Sequence, residues 1–242
     1  MIISKQNSLV KEARSLESKK FRDSLNRYLV EGVKMVNEAF SCGQEVLSVI
    51  CTEKGLAKLN LNGFEPTLVS EQVFEYISGE KSPQGALAIL KKPQPKKCSG
   101  SCLFLDGVSD PGNVGTIIRT MACAGYNTVY LTQDSADPYS PKAVRSSMSG
   151  IYHVNTVYVD REKIKEVIDL PIIVADMNGA NVFEKKLKGD FCLVIGNEAH
   201  GVSDVVRNIA TTTVKIPMRE GMESLNAGVS AGILMYTLKN SN

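Results

Sequence analysis

LFLDGVSDPGNVGTIIR, residues 103–119, sets a short apolar run ahead of a loop rich in turn residues and then a helical pattern. Leu103-Phe104-Leu105, bounded by Asp106-Gly107, reads as a buried strand. From Val114 the apolar residues Val114, Ile117, Ile118, Met121 and Ala122 recur on one face of a helix. The same order occurs twice more. GNEAHG (196–201) follows Leu193-Val194-Ile195, and PMREGMESLNAGVS (217–230) follows Val214-Lys215-Ile216. A helical pattern follows the third loop, and a shorter, weaker one follows the second. Strand-to-loop junctions of one sheet can meet at one edge, and ligands of α/β proteins bind outside the carboxyl ends of strands. The expectation is an α/β enzyme with a composite, backbone-rich site in its C-terminal part.

Working outward, the pattern predicts strands at Cys102–Asp106, Thr128–Leu131, His153–Tyr158, Ile172–Asp176, Phe191–Ile195 and Thr213–Ile216. Helices are predicted at Val114–Ala124, Arg161–Leu170 and Ala227–Lys239. Alternation of this kind implies a parallel sheet covered on both faces. KKPQPKKCSGS (91–101) is polar, carries two prolines and has no periodicity, so it reads as a linker. Residues 1–90 form a smaller α/β unit. Leu9, Ala13 and Leu16 mark one helix, Val33, Val36, Ala39 and Phe40 a second, and Val73, Phe74 and Ile77 a third; strands are predicted at Val46–Cys51 and Ala86–Leu90. The domain boundaries are therefore 1–90, 91–101 and 102–242.

The 242 residues, 43% hydrophobic, suit a globular chain of one large or two small domains. No run approaches 18 apolar residues and the N-terminus has no signal-type apolar core, so a cytoplasmic location without a membrane span is expected. The six cysteines match no common zinc spacing and only His153 and His200 are available, so no metal is expected. The net charge of +2 conceals an asymmetry. Residues 1–30 carry seven basic and three acidic groups, which is +4, leaving −2 for the remainder. Lys91, Lys92, Lys96 and Lys97 add a second cluster. Basic patches attract nucleic acid; a solvated helix face and a soluble linker give the same composition.

The first loop has P-loop glycine spacing at Gly107 and Gly112, but Asn113-Val114 stands where Lys-Ser/Thr is required, which excludes a nucleoside triphosphatase. Asp134, about twenty residues on, keeps a Rossmann-type dinucleotide reading open. Asn113 is predicted to cap a helix. Arg119, flanked by Ile117, Ile118 and Met121, is expected to have an anionic partner. Glu198 follows a buried strand between Gly196 and Gly201, as a turn residue or a ligand contact. Ser224 and Asn226 are good caps at a helix start, where free N–H groups also serve ligands.

The three segments resemble the three motifs of the SpoU (TrmH-type) RNA ribose 2′-O-methyltransferases of the SPOUT superfamily. The first matches N-x-G-x-x-x-R at Asn113, Gly115 and Arg119. The second matches G-N-E-x-x-G at Gly196, Asn197, Glu198 and Gly201. The third matches I-P-M…S-L-N-x-x-x-S at Ile216, Pro217, Met218, Ser224, Leu225, Asn226 and Ser230. Order and spacing agree across residues 102–240 with no departure at a motif position. Residues 1–90 resemble the family's substrate-binding domain, including Glu31-Gly32 and Ser82-Pro83-Gln84-Gly85.

The resemblance implies a parallel α/β sheet with a C-terminal deep trefoil knot, preceded by a small α/β RNA-binding domain; knots are rare, and nothing in the periodicity points to one. It implies S-adenosyl-L-methionine as cofactor, held at Gly196, Ile216, Met218, Leu225 and Asn226, and a homodimer with Arg119 near the interface. It implies an RNA (ribose-2′-O)-methyltransferase in which Arg119, Asn113, Glu198, Ser224 and Asn226 serve catalysis, with Glu198 orienting Arg119 or the ribose. Ribosomal RNA is the expected substrate and transfer RNA the alternative. A dinucleotide enzyme using Gly107–Gly115 and Asp134, and a non-catalytic RNA-binding protein resting on the basic N-terminal unit, are the other readings.

Overall fold

The computed structural model describes residues 1–222 and 224–239. Glu223 of the third loop and residues 240–242 of the expected C-terminal domain lie outside the described residues. The elements in chain order are α1 (Ser8–Ser15), α2 (Lys19–Leu25), β1 (Arg27–Glu31), α3 (Val33–Ser41), β2 (Val46–Cys51), α4 (Glu53–Leu56), β3 (Thr67–Leu68), α5 (Glu71–Ile77), β4 (Ala86–Lys91), β5 (Cys102–Asp106), α6 (Pro111–Ala124), β6 (Thr128–Leu131), α7 (Pro141–Ser147), β7 (Asn155–Tyr158), α8 (Ile164–Val167), β8 (Ile172–Asn181), β9 (Cys192–Gly196), α9 (Asp204–Asn208), β10 (Thr212–Lys215) and α10 (Ala227–Lys239). They divide into two compact units, Met1–Gln94 with Tyr139–Tyr152, and Pro95–Pro138 with His153–Asn242.

The first unit holds a four-stranded sheet in the order β1-β4-β2-β3, with β4 antiparallel to β1 and β2 and β3 parallel to β2. Val10, Ala13 and Leu16 line one face of α1, and Val73, Phe74 and Ile77 one face of α5. Both stripes bury against Leu29, Ile50, Leu87 and Ile89 of the sheet. The sequence reading placed residues 139–152 with 102–242, because they lie between predicted strands of that domain. The structure packs them into the first unit: Tyr139 lies 4.8 Å from Tyr28, ring to ring, and the Tyr152 hydroxyl donates to the Met35 carbonyl at 2.9 Å. Val144 and Ile151 of this segment are buried. The basic face of residues 1–30 is largely occupied: Arg22 is buried and donates to the carbonyls of Leu16 and Glu17, Arg27 pairs with Glu12, and Lys19 with Asp23.

The second unit is built on six parallel strands in the order β10-β8-β9-β5-β6-β7. Every residue of β5 is buried, as a strand covered on both faces requires. The register sets Asp106 beside Gly196, so the first two loops leave the sheet as neighbours. The chain leaves β10 at the sheet edge, and α10 then packs on α6 through Gly228 and Gly232. A Cβ on these glycines would lie 3.0 Å and 3.6 Å from the methyl groups of Thr116 and Thr120. That close approach brings the third loop to the first. The predicted helix Arg161–Leu170 is only a 3-10 turn at Arg161–Lys163 followed by α8, because its apolar positions are few and Pro171 follows. No helix among the described residues is long and apolar enough to cross a membrane.

The strand β8 extends five residues beyond the predicted Asp176, with a register break. Thr213 pairs with Val174, but Val214 pairs with Ala180. Residues 175–179 bow out of the ladder, and the excursion closes at Gly179, where a Cβ would sit 2.6 Å from the Val214 amide nitrogen. A methyl group there strikes the backbone of Thr213 and Val214 on the neighbouring strand. Gly179→Ala is expected to destabilise the chain by about 1–3 kcal/mol, the usual scale of overpacking, and to weaken small-molecule binding at the adjoining loops. Urea unfolding of the variant checks this; a midpoint equal to wild type contradicts the steric account.

Candidate active site

Asp110, rather than Asn113, caps α6. Its carboxylate accepts from the Asn113 N–H at 2.9 Å, and Pro111 supplies the first helical position, where no N–H is needed. Asn113 stands a turn inside the helix, and its amide side chain is left for other partners. Its Nδ2 donates to Glu198 Oε1 at 2.9 Å, and its Oδ1 accepts from Asn226 Nδ2 at 2.9 Å. Asn226 caps α10 in turn, its Oδ1 accepting from the N–H groups of Gly228 and Val229. One residue from each loop therefore meets in a single hydrogen-bonded chain, Glu198–Asn113–Asn226.

Glu198 also accepts from the Ser109 N–H and hydroxyl, both at 3.0 Å, and from the Asp110 N–H at 3.2 Å. Partial burial pushes its carboxyl upward. The Asn113 amide and the N–H groups of Ser109, Glu198 and Asp110 outweigh burial and bring it down to about 2. Within the chain the Glu198 oxygens are engaged by the first loop and not by Arg119. Arg119 is exposed on α6 and makes no hydrogen bond or ion pair among the described residues. An exposed guanidinium keeps its hydration and needs no internal partner, which is why the expected anion is missing within the chain.

Two further ties escaped the sequence reading. Asn197 folds the second loop into a tight hairpin, its backbone exchanging hydrogen bonds with Gly201 at 2.9 Å in both directions. Its Nδ2 donates to the Gly107 carbonyl at 2.7 Å. A Cβ on Gly196 would lie 2.3 Å from the Val202 nitrogen, so only glycine fits beneath this hairpin. Asp106, 1% exposed, accepts from Arg161 Nε at 2.5 Å and from the Ser203 N–H at 2.7 Å. The signal for Asp106 was present as a charge ending an apolar strand. Arg161 donates on to Asp134 at 2.7 Å, so the carboxylate that a dinucleotide ribose would need is already paired.

The hairpin, the β8 excursion and the third loop enclose a cavity of about 870 Å³. Gly196, Glu198, Ile216, Met218, Ser224, Leu225 and Asn226 line it, facing Ala175–Asn178. Its size lies within the roughly 300–1,000 Å³ typical of small-molecule sites. Asn113 reaches the cavity through its bonds to Glu198 and Asn226; Arg119 is not part of its lining.

Because the Glu198 carboxyl is held below its ordinary value of 4.5, its ionised form stabilises the fold fully above that pH and loses this effect as pH falls toward about 2. Urea unfolding of Glu198→Gln against wild type should give a stability gap that is constant from neutral pH down to the ordinary carboxylate range and narrows in more acid solution. A gap unchanged in acid would mean that the carboxylate is not held as the geometry requires.

Comparison with known proteins agrees with this geometry. The model of the SpoU rRNA Methylase family matches residues 100–236, and that of the MRM3-like substrate binding domain matches residues 7–88. The chain is 32% identical to the 23S rRNA (guanosine(2553)-2′-O)-methyltransferase RlmP of Bacillus subtilis, over 98% of each chain. It superposes with a TM-score of 0.85 on a putative RNA methyltransferase of the TrmH family from Porphyromonas gingivalis, at 30% identity and 99% coverage of both. An AdoMet-bound rRNA methyltransferase from Sinorhizobium meliloti gives 0.88 at 26% identity, covering 99% of this chain and 97% of that one. With three loops joined at one node and relatives that span its whole length, this chain belongs to the SpoU rRNA methylase family.

Proposed function

We propose that the chain is an S-adenosylmethionine-dependent RNA methyltransferase acting on a ribose 2′-hydroxyl of ribosomal RNA. Residues 1–90 would bind substrate, 91–101 link, and 102–242, apart from the 139–152 segment that packs into the first unit, carry the methyl transfer. The observation that carries this reading is the Glu198–Asn113–Asn226 node beside a cavity lined by the second loop, the third loop and the β8 excursion. The cavity fits the cofactor. Gly196 offers close backbone approach, Ile216, Met218 and Leu225 offer apolar and thioether contact, and Asn226 stands at its edge. Bound there, S-adenosylmethionine supplies an electrophilic methyl group. Ribosomal RNA is favoured over transfer RNA because two of the relatives, matched over 98% and 89% of this chain, are named for 23S rRNA. Tyr76, partly exposed with Lys5 and Arg14 over its ring, gives the N-terminal unit one surface suited to RNA.

A 2′-hydroxyl is a weak nucleophile that must be aligned and must lose its proton. A guanidinium offers donors and no acceptor, so the role of Arg119 is to anchor phosphate and stabilise the developing alkoxide. The Ser224 hydroxyl can donate to the substrate. Glu198 and Asn113 act as positioning residues that hold the first loop rigid. The proposal includes the family's deep knot, a cytoplasmic setting and a homodimer. The dimer is supported by α10, which buries Ala231, Leu234, Met235 and Leu238 yet leaves Val229 50% and Tyr236 47% exposed on its other side. A helix apolar on both faces is expected to bury both. Its packing partner α6 carries the unpartnered Arg119, so a second copy on this surface would give that guanidinium its setting.

Arg119→Ala should lower methyl transfer to ribosomal RNA by roughly 10²–10³-fold, the scale of losing one transition-state donor, while leaving adenosylmethionine affinity within error. Arg119→Lys should remain impaired, since an ammonium lacks the planar fork. Tritium-methyl transfer and calorimetric titration measure the two effects. Near-normal turnover in Arg119→Ala sinks the catalytic role, and transfer to tRNA in preference to rRNA moves the substrate to the alternative.

A further inference from the structure

The first unit contains a second cavity, of about 250 Å³, that the reaction above does not use. Its walls are the buried side chains of Leu29, Met35, Ile77, Leu87 and Val144, closed by Met148 from the 139–152 segment. Met148 has φ 50° and ψ −145°, a backbone conformation that favours glycine. Residues held in such regions persist only where the surroundings impose them, and they cluster at ligand clamps.

The rim gathers the features of the N-terminal segment that the methyl-transfer site leaves unexplained. Gln84 Oε1 accepts from the Val33 N–H at 3.0 Å, which turns its Nε2 donor free. Glu31 accepts from the Gly79 N–H at 2.9 Å and from the Ser78 hydroxyl, with lone pairs remaining on both oxygens. Two rim carboxylates are ion-paired, Glu17 with Arg14 and Glu80 with Arg145 Nε at 2.9 Å, while Glu31 is held by uncharged donors. Arg145 keeps its terminal nitrogens and guanidinium face for a ligand. The rim thus offers donors and acceptors of both charge signs over a floor of apolar and thioether side chains.

The Glu31 carboxylate disfavours a phosphate and the Arg145 guanidinium on the same rim disfavours a metal cation, and the volume is below that of sites for drug-sized ligands, roughly 300–1,000 Å³. A flat, neutral heterocycle with an edge of hydrogen-bonding groups satisfies both limits. Thioethers and a guanidinium plane are good stacking surfaces for such a ring. We propose that this cavity takes one unpaired nucleobase, extruded from the RNA strand that the enzyme methylates. The proposal rests on the reading of RNA as substrate.

The glycine that best tests it is Gly79. It has no positive φ, and a Cβ there would meet only the flexible end of Arg145, at 3.2 Å, and a Glu31 oxygen at 3.8 Å. Gly79→Leu therefore plugs the mouth at little cost to the fold. Met148→Gly is the complementary variant: it removes one wall and relaxes the backbone. The full chain would be titrated into a single-stranded RNA dodecamer carrying one 2-aminopurine, and into free 2-aminopurine riboside. Thermal unfolding, adenosylmethionine affinity and methyl transfer to ribosomal RNA would be followed in parallel. Wild type should change the emission of the dodecamer saturably. Both variants should weaken that response by on the order of tenfold, the scale of one stacked base, with melting temperature not lowered and cofactor affinity kept. An unaltered response in both variants overturns the proposal, as does tighter binding of the free riboside than of the dodecamer. Loss of methyl transfer in wild type with the emission response intact would overturn the enzymatic reading and leave the nucleobase site standing. Methyl transfer with an unaltered KM in both variants would do the reverse.

Discussion

The carboxylate of Glu198 organises the loops of the second unit. It takes hydrogen bonds from Ser109, Asp110 and Asn113, all on the first loop, although it belongs to the second. A carboxylate that accepts several N–H groups is worth more than neutral pairs of the same geometry. Its removal would leave donors of three residues unmatched at the edge of the sheet. Through Asn113 the same hold extends to Asn226 and to the first turn of α10. The cavity exists because these loops are fixed against each other. None of them has enough apolar side chain to fix itself.

The sheet supplies what the carboxylate needs. Parallel pairing of β5 with β9 starts two loops side by side. The glycines of α10 let the third loop arrive at the same place from the far edge. The break in pairing between β8 and β10 opens the opposite wall. Asp106 and Arg161 brace the outer side of the first loop, which is the side where a dinucleotide enzyme would keep a free carboxylate.

Much of this frame was legible in the sequence, because it is written in periodicity. Strands β2, β5 and β6 and helix α10 fall where the pattern sets them. The residues of the cavity wall, Gly196, Ile216, Met218 and Leu225, were legible through a motif resemblance. What was not legible depends on long-range contact. Strand β1 carries only three buried residues, Tyr28, Leu29 and Val30, too few to mark a strand without its partner β4. The segment 139–152 has no local sign that its Tyr139 and Val144 belong to the other unit. Asp110 and Asn113 are both good caps three residues apart, and only the position of Glu198 decides which side chain turns inward. Arg22 counts as surface charge in any sum, yet its guanidinium is buried against two carbonyls.

The proposed cofactor site depends on Glu198 and Asn226, from different loops, joined through Asn113. A double-mutant cycle on adenosylmethionine affinity, with Glu198→Ala, Asn226→Ala and the pair measured by calorimetry, tests it most directly. Coupled side chains in one network give interaction energies of about 0.5–3 kcal/mol. The account predicts a coupling in that range, with the second substitution costing little once the first is made. Additive losses within error would contradict it, and would mean that the three loops bind the cofactor independently.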